Sequence, residues 1–599
     1  MVFFGGRFEW RMWSAGPEFR RIFREAATLE QARGAVLDAL EAKKRAIRAA
    51  DNQLPSLEWV VVDDCLDVLR NCFSERSEKA AKFSALSALW RVARDEYRAG
   101  SRELKPGFFE EFRHLFLGVA GKSGIYEGER LPEYAKLHGR DAAVARSADL
   151  DRLAARVDEG LSRYPSGLDE PLWKERRRNA RRIRKFFGAS DEEWNDWQWQ
   201  WRHVVRDRRT LANIIPLSAD EKKAVELAAR KGIPFGVTPY YASLIRPRLS
   251  RSRVHATRAQ VIPPLAYVEN MVRFKGRRDF ECDFMLERDT SPVDLITRRY
   301  PLIAILKPYN SCFQVCVYCQ RNWEIVGPGD VGPAFSASKL DAALAWIKKH
   351  PAVREVLITG GEPLALADDR LAYILDKLAA MDHVTRIRIG TRAPVVVPMR
   401  ITETLSDLLS SHFRPPFKEV VVVTHFQHAA EVTPEAFLAV LRLRLRGIPV
   451  YNQTVFTSAN CRRFEISALR LQLRRIGVDP YYLFNAKAKK EIAGYSVPIA
   501  RLQQEWKEEA RLLPGIVRTD VPVYNIPRLG KNYVMAWQHH RLIMVLPDGR
   551  RLYEFHPWEK QIAMADVYVE ADVPIYDFLE DLRKRGESVE AYKSIWYYF

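Results

Sequence analysis

From Pro301 onward the chain alternates short runs of β-branched and apolar residues with longer stretches whose apolar positions recur every three or four residues. PLIAIL, EVLIT, RIRIG, EVVVVTH, VYNQTVF and PYYLF read as strands. SKLDAALAWIKKH, DDRLAYILDKLAAM, PEAFLAVLRLRLR and ISALRLQLRRI read as amphipathic helices between them. Strands separated by helical segments pair in parallel through right-handed crossovers, so the expected fold class is α/β, closing naturally into a β/α barrel. In such a fold the chemistry sits just after the strands, at their C-terminal ends.

The first 190 residues carry a different pattern. Segments such as AAKFSALSALWRVARDEYRAG and SADLDRLAARVDEGLSRY show helical periodicity and no chemical motif. Cys65 and Cys72 lie seven apart on a predicted helix, and we read them as buried structural cysteines rather than a metal pair.

With 599 residues the chain is long enough for two or three domains. Its 47% apolar content fits a folded protein, yet no apolar run reaches the ~18 residues that span a bilayer. The opening MVFFGGRFEWRMW lacks the features of a secretory signal, and the expected location is cytoplasmic. Seven cysteines, three of them tightly clustered, do not form a disulfide framework. The net charge of +19 raises nucleic-acid binding as a possibility. Its densest run, KERRRNARRIRK from Lys174, is flanked by Trp173, Phe186 and Phe187, with Ile183 inside it, and reads instead as a solvated helix face.

The first chemically informative segment follows PLIAIL: Cys312, Cys316 and Cys319 in a C-x3-C-x2-C spacing, with Tyr318 before the last cysteine. Three thiolates from one loop suit iron-sulfur ligation and leave one iron of a four-iron cluster open, whereas structural zinc wants a fourth ligand that is not nearby. After the second strand comes Gly360-Gly361-Glu362-Pro363, where glycines permit close backbone approach and proline stiffens the turn.

The cysteine spacing resembles the radical S-adenosylmethionine superfamily, whose open iron chelates the methionine moiety of S-adenosylmethionine. The rest narrows the resemblance to the lysine 2,3-aminomutase family: WNDWQWQ from Trp194, VTPYYASL from Val237, RIGTRAPVVVP from Arg388, THFQH from Thr424 and NQT from Asn452. It covers roughly residues 190 to 560. It implies a [4Fe-4S] cluster on the three cysteines, and S-adenosylmethionine held at Tyr318, Gly360, Gly361, Glu362, Pro363, His425 and Gln453. It also implies pyridoxal phosphate on Lys531, held by Arg299 and Tyr300, and a substrate α-carboxylate on Arg321. A second phosphate-binding arginine of the family pattern falls at Ile303, with Lys307 as a possible replacement. The resemblance divides the chain into a helical extension (1–190), a helical lead-in (191–300), a partial (β/α)6 TIM-like radical S-adenosylmethionine barrel (301–490) and a C-terminal region with the cofactor lysine (491–599).

Lysine-specific members place two aspartates against the distal ammonium of the substrate. Here those positions read Lys487 and Asn525, moving the pocket from minus two to plus one. Lysine should be repelled and a distal carboxylate accepted, as in glutamate 2,3-aminomutase, whose product is β-glutamate. The expected function is therefore an isomerase acting on free glutamate, served by a reducing partner such as flavodoxin or ferredoxin, with a homo-oligomer as a candidate assembly. The family's zinc site is not expected, because no cysteine follows Cys461. An aminomutase for lysine or another free or protein-borne residue, and an iron-sulfur RNA-binding protein, are the competing readings.

Overall fold

The computed structural model describes residues 5–48, 56–96, 103–126, 132–246, 256–274, 282–328, 336–486, 489–536, 539–559 and 565–599. The chain forms two compact units. One comprises Met1–Val157, Val497–Glu508 and Asn532–Phe599; the other comprises Asp158–Ser496 and Glu509–Lys531. The early helices thus share a unit with C-terminal strands. Glu170–Phe187, grouped by its sequence with the extension, belongs to the second unit.

In the first unit, helices Pro17–Glu25, Ser56–Cys72 and Pro106–Val119 gather a phenylalanine core. Phe19 stacks on Phe116 at 4.6 Å between centroids, and Phe108 lies 4.8 Å from Phe112. Gly118 lets two of these helices touch, since a Cβ there would stand 2.3 Å from Cys65 Sγ. Cys65 and Cys72 are both fully buried, as expected, and burial pushes the Cys72 thiol up to about 12. The C-terminal part contributes an antiparallel sheet whose strands His540–Val545, Arg551–Phe555 and Tyr568–Ala571 follow one another in order. Arg551 is fully buried and donates Nε to Glu111 (3.0 Å) and Nη2 to the Trp596 carbonyl (2.7 Å).

The second unit is built on a parallel sheet. β1 (Ile296–Thr297) pairs antiparallel with β2 (Ile303–Tyr309). β3 (Glu355–Gly360), β4 (Arg386–Gly390), β5 (Glu419–Thr424), β6 (Val450–Phe456), β7 (Asp479–Asn485) and β8 (Val521–Ile526) then add in chain order, all parallel. β9 (Gly530–Tyr533), of which Gly530 and Lys531 belong to this unit, is last in the order. The six strands expected from sequence are β2 to β7, and helices Ala337–Lys348, Asp368–Ala379, Pro434–Leu445 and Glu465–Arg475 fall between them as predicted. Side-chain oxygens start the local turns: Ser336 accepts from Lys339 N, and Thr433 accepts from Ala436 N ahead of Pro434.

Alternation gives the sheet two unlike faces. Ala304, Leu306, Val356, Ile358, Ile387 and Ile389 are wholly buried on one. On the other, registered across the strands, lie Ile303, Glu355, Arg386 and Glu419, then Ile305, Leu357, Arg388 and Val421. That second face is half-buried along β2, β3 and β6, and it continues through Gln453, Tyr482, Phe484 and Val523.

The basic helix Glu170–Phe187 lies on this unit. Arg176, Asn179, Ala180 and Ile183 are buried, with Arg176 2.7 Å from Glu435, while Arg177, Arg178, Arg181 and Lys185 face solvent. A solvated face over a buried stripe is what the sequence suggested. Among the described residues no helix is long and apolar enough to cross a membrane.

Candidate active site

The loop after β2 is held on three sides. Phe313 is fully buried, 4.5 Å from the Trp201 ring and 6.2 Å from Trp197. Val317 N donates to the Gln260 carbonyl at 2.8 Å, and Cys319 N to the Cys316 carbonyl at 3.1 Å. From β3, Gly361 N donates to Tyr309 O (2.6 Å) and Glu362 N to Ser311 O (2.8 Å). A Cβ on Gly361 would lie 2.4 Å from Ser311 O, and Gly360 has φ +113°. The two glycines therefore let the motif press against the cysteine loop, so two segments far apart in sequence become one surface. Gly361→Ala is expected to force the loop outward at a cost of about 1–3 kcal/mol. Iron and sulfide bound per chain after reconstitution should fall with it; unchanged loading would show the loop adapts.

Burial pushes the Cys312 thiol well above its ordinary range, and the thiols of Cys319 and Cys316 push in the same direction. Cys319 is raised by burial and by Cys316. The three sulfurs thus share one electrostatic neighbourhood. Among the described residues no three Cys, His, Asp or Glu side chains converge on a point suited to a single metal ion. The donor set of this loop is all sulfur, which suits an iron-sulfur cluster.

Behind the loop lies a buried polar network. Arg392 Nη1 donates to Cys316 Sγ at 2.9 Å, and its Nη2 reaches Glu431 Oε1 at 2.9 Å and Gln260 Oε1. Glu431, fully buried, also accepts from the Tyr241 hydroxyl and Gln260 Nε2, each at 2.6 Å. The Tyr318 hydroxyl lies 2.9 Å from Gln260 Oε1 and 3.1 Å from His425 Nε2. His425 is held down to about 4 by burial and by the Arg392 charge, so it is a neutral imidazole. Its Nδ1, 2.5 Å from the Gln453 carbonyl, must be the donor, which leaves Nε2 as an acceptor. Tyr318, His425 and Gln453 are thereby brought together. Glu362 stands differently. Its carboxylate accepts from Leu364 N (3.0 Å), Thr391 Oγ1 (2.6 Å) and Arg392 N (2.8 Å), tying the glycine turn to the end of β4. Pro363 is buried beside it.

Arg321 is gripped through Nε by Glu287 (3.0 Å) and Glu324 (3.2 Å), and among the described residues neither Nη atom makes a hydrogen bond. A bidentate contact remains open to it. Lys307 joins this group, 2.9 Å from Glu324 and 3.7 Å from Glu287, so its ammonium is engaged by carboxylates there. Lys489 is fully buried against Glu491 (2.7 Å) and Asn322 Oδ1 (2.6 Å), bracing the chain just beyond Cys319.

A second group surrounds Lys531. Gly530 has φ +88°, and a Cβ there would lie 2.3 Å from the Tyr300 hydroxyl; its absence lets Lys531 N donate to that hydroxyl at 2.8 Å. The Lys531 ammonium nitrogen lies 4.8 Å from the Tyr300 ring centroid and 5.1 Å from that of Tyr482. Burial, then the charges of Arg388 and Arg299, bring its amine down to about 8 against the opposing pull of Glu355. Arg299 has a buried Nε with no partner among the described residues. Asn525 is buried on β8, on the same face of the sheet as Phe484 and Val523. Lys487 lies outside the described residues.

Glu287, Glu324, Gln260, Glu431, Lys489 and Arg388 were not singled out for roles by sequence reasoning. Each acquires its role from partners distant in the chain, and their identities as ordinary charged or amide residues carried no local signal.

No family model matches the chain. It is 42% identical, over 97% of its length and 96% of the other's, to an uncharacterized KamA family protein of Methanocaldococcus jannaschii. It is 36% identical to the L-lysine 2,3-aminomutase of Bacillus subtilis, over 55% of this chain and 66% of that one. The glutamate 2,3-aminomutase of Clostridioides difficile is 31% identical over 58% of this chain and 78% of its own. The aminomutases thus match little more than half of the chain, and the M. jannaschii protein nearly all of it.

Proposed function

The chain belongs to the KamA family, and from that premise we propose that it is a radical S-adenosylmethionine, pyridoxal phosphate-dependent 2,3-aminomutase that converts L-glutamate to β-glutamate. What carries the reading is that one compact unit holds both halves of the required chemistry: three neighbouring thiols on the loop after β2, and a lysine whose amine is drawn down to about 8 between two tyrosine rings. Both sets of donors fit their groups. Cys312, Cys316 and Cys319 would hold the [4Fe-4S] cluster. Lys531 would hold pyridoxal phosphate, with Arg299 and Tyr300 beside it. When bound, cluster and S-adenosylmethionine supply a hydrogen-abstracting radical, and the pyridine ring supplies the π system that lets nitrogen move.

The remaining work falls to side chains. The free Nη pair of Arg321 binds the substrate α-carboxylate, held in orientation by Glu287 and Glu324. Tyr318, His425 and Gln453 form a neutral hydrogen-bonding edge beside the cysteine loop, suited to the adenosyl group of S-adenosylmethionine. The parallel sheet acts as a partial barrel, its half-buried face turned toward substrate. A reductant of the flavodoxin or ferredoxin kind would deliver the electron.

Glutamate rests on charge. Asn525 offers a neutral amide where an aspartate would favour a cation, and Lys487 follows β7 with a positive charge. Anaerobic reconstitution with iron, sulfide, pyridoxal phosphate and S-adenosylmethionine, followed by NMR of separate glutamate and lysine incubations, tests the reading. Glutamate should give β-glutamate and lysine should give nothing; the reverse would overturn it. Joint Lys487→Asp and Asn525→Asp should lower kcat/KM for glutamate by about 100-fold or more, the scale of a buried charge mismatch.

A further inference from the structure

The position the family pattern assigns to a second phosphate-binding arginine is Ile303, on β2. Its register partner on β3 is Glu355, which pairs in turn with Arg386 on β4. Two residues further along β4, on the same half-buried face, stands Arg388. Its guanidinium pairs with Glu355 and lies 5.5 Å from the Tyr481 ring centroid. Arg388 also acts on Lys531 more strongly than Arg299 does.

The charges here do not balance. Arg299, Arg386, Arg388 and Lys531 are cationic groups, against the carboxylates of Glu355 and Glu419. Glu419 is taken up by Arg386 at 2.6 Å, and Glu355 is divided between Arg386 (3.1 Å) and Arg388. Glu287 and Asp283 also face Arg299, but Glu287 is shared with Arg321 and Lys307, so positive charge remains in excess, and Arg299 keeps a buried Nε without a partner among the described residues. Two guanidinium groups and a lysine facing an apolar and aromatic wall make a complement for one dianion.

We propose that Arg388 and Arg299 together grip a phosphomonoester dianion, that of the pyridoxal phosphate carried by Lys531, with Arg388 on β4 supplying the guanidinium that Ile303 on β2 lacks. Glu355 is the positioning counter-ion: it holds the Arg388 fork in place and, shared with Arg386, leaves that fork incompletely neutralised. The assignment rests on the cofactor reading above, and deepens it by naming how the phosphate is held.

The test is equilibrium binding to the full-length protein, followed by absorbance for pyridoxal phosphate and for pyridoxal, and by ³¹P line broadening for inorganic phosphate. Arg388→Gln should weaken pyridoxal phosphate by about 10- to 100-fold, the scale of a charged hydrogen-bonded contact, and affect pyridoxal, which feels Arg388 only through the Lys531 amine, far less. Arg388→Lys should fall between, because charge is kept and the fork is lost. Adding Ile303→Arg to Arg388→Gln should recover much of the affinity, which a merely misfolded variant would not do. Equal losses for pyridoxal and pyridoxal phosphate, or no loss for either, would overturn the assignment. If the wild-type protein takes up phosphate through Arg388 but not pyridoxal phosphate, the anion site stands and the cofactor reading falls. If it takes up neither, the anion site itself is wrong.

Discussion

Substituting Glu431 with leucine is expected to lower the stability of the protein by about 3–5 kcal/mol, because it strands the buried Arg392 guanidinium without its counter-charge. Glu431 is the hub of that region: it accepts from Arg392, Tyr241 and Gln260 through Oε1, and from Gln427 N at 2.6 Å through Oε2. All four donors would lose a partner in a setting that water does not reach. The shift in denaturation midpoint measures the effect. Adding Arg392→Leu should recover a large part of the loss, since removing both charges is far milder than removing one. A single variant as stable as the wild type would mean that the guanidinium has an exit to solvent. Cluster loading should drop in the single variant too, as Arg392 also contacts Cys316 Sγ.

Lys531→Ala is expected to abolish turnover and covalent capture of pyridoxal phosphate altogether, and the pH profile of capture by the wild-type protein should identify the lysine. The reactive form of a lysine is the neutral amine. With its amine brought down to about 8, Lys531 is half neutral at that pH, whereas an ordinary lysine near 10.4 is neutral in only about 0.4% of molecules, a difference of about 100-fold. Borohydride trapping of pyridoxal phosphate should therefore rise with pH through about 8 and level off above it. A midpoint near 10 would mean that the amine is solvated. Stability follows the same shift. Between about 8 and 10.4 the unfolded chain retains a proton that the folded lysine has lost, so this group makes folding more favourable as pH rises through that window.

The glutamate assignment and the stability of the Arg392 network draw on different kinds of information. Lys487 and Asn525 speak through residue type alone, because a charge reversed at one position and neutralised at the other is an argument that needs no coordinates. Arg392 and Glu431 are 39 residues apart, and Arg392 and Gln260 are 132 apart. No periodicity connects such positions. Glu431 lies in the short 3-10 turn Ala429–Glu431, ahead of the helix that starts at Pro434, and nothing local marks its inward-facing carboxylate.

The sequence by itself determined what is local: β2 to β7 and the helices between them, the cysteine loop, the glycine-rich turn and the α/β class, because strand and helix periods and ligand spacing are written over a few residues. It could not determine which face of each strand meets the site. A period of two separates Arg388 from Ile387 and Ile389, but only pairing with β3 and β5 decides that the arginine's side is the half-buried one beside Lys531. The grouping of the early helices with the C-terminal strands was likewise tertiary, since the buried Arg551–Glu111 pair joins residues 440 apart in sequence. Packing and charge compensation over such distances are properties of the folded chain, and they decided which of these side chains face one another.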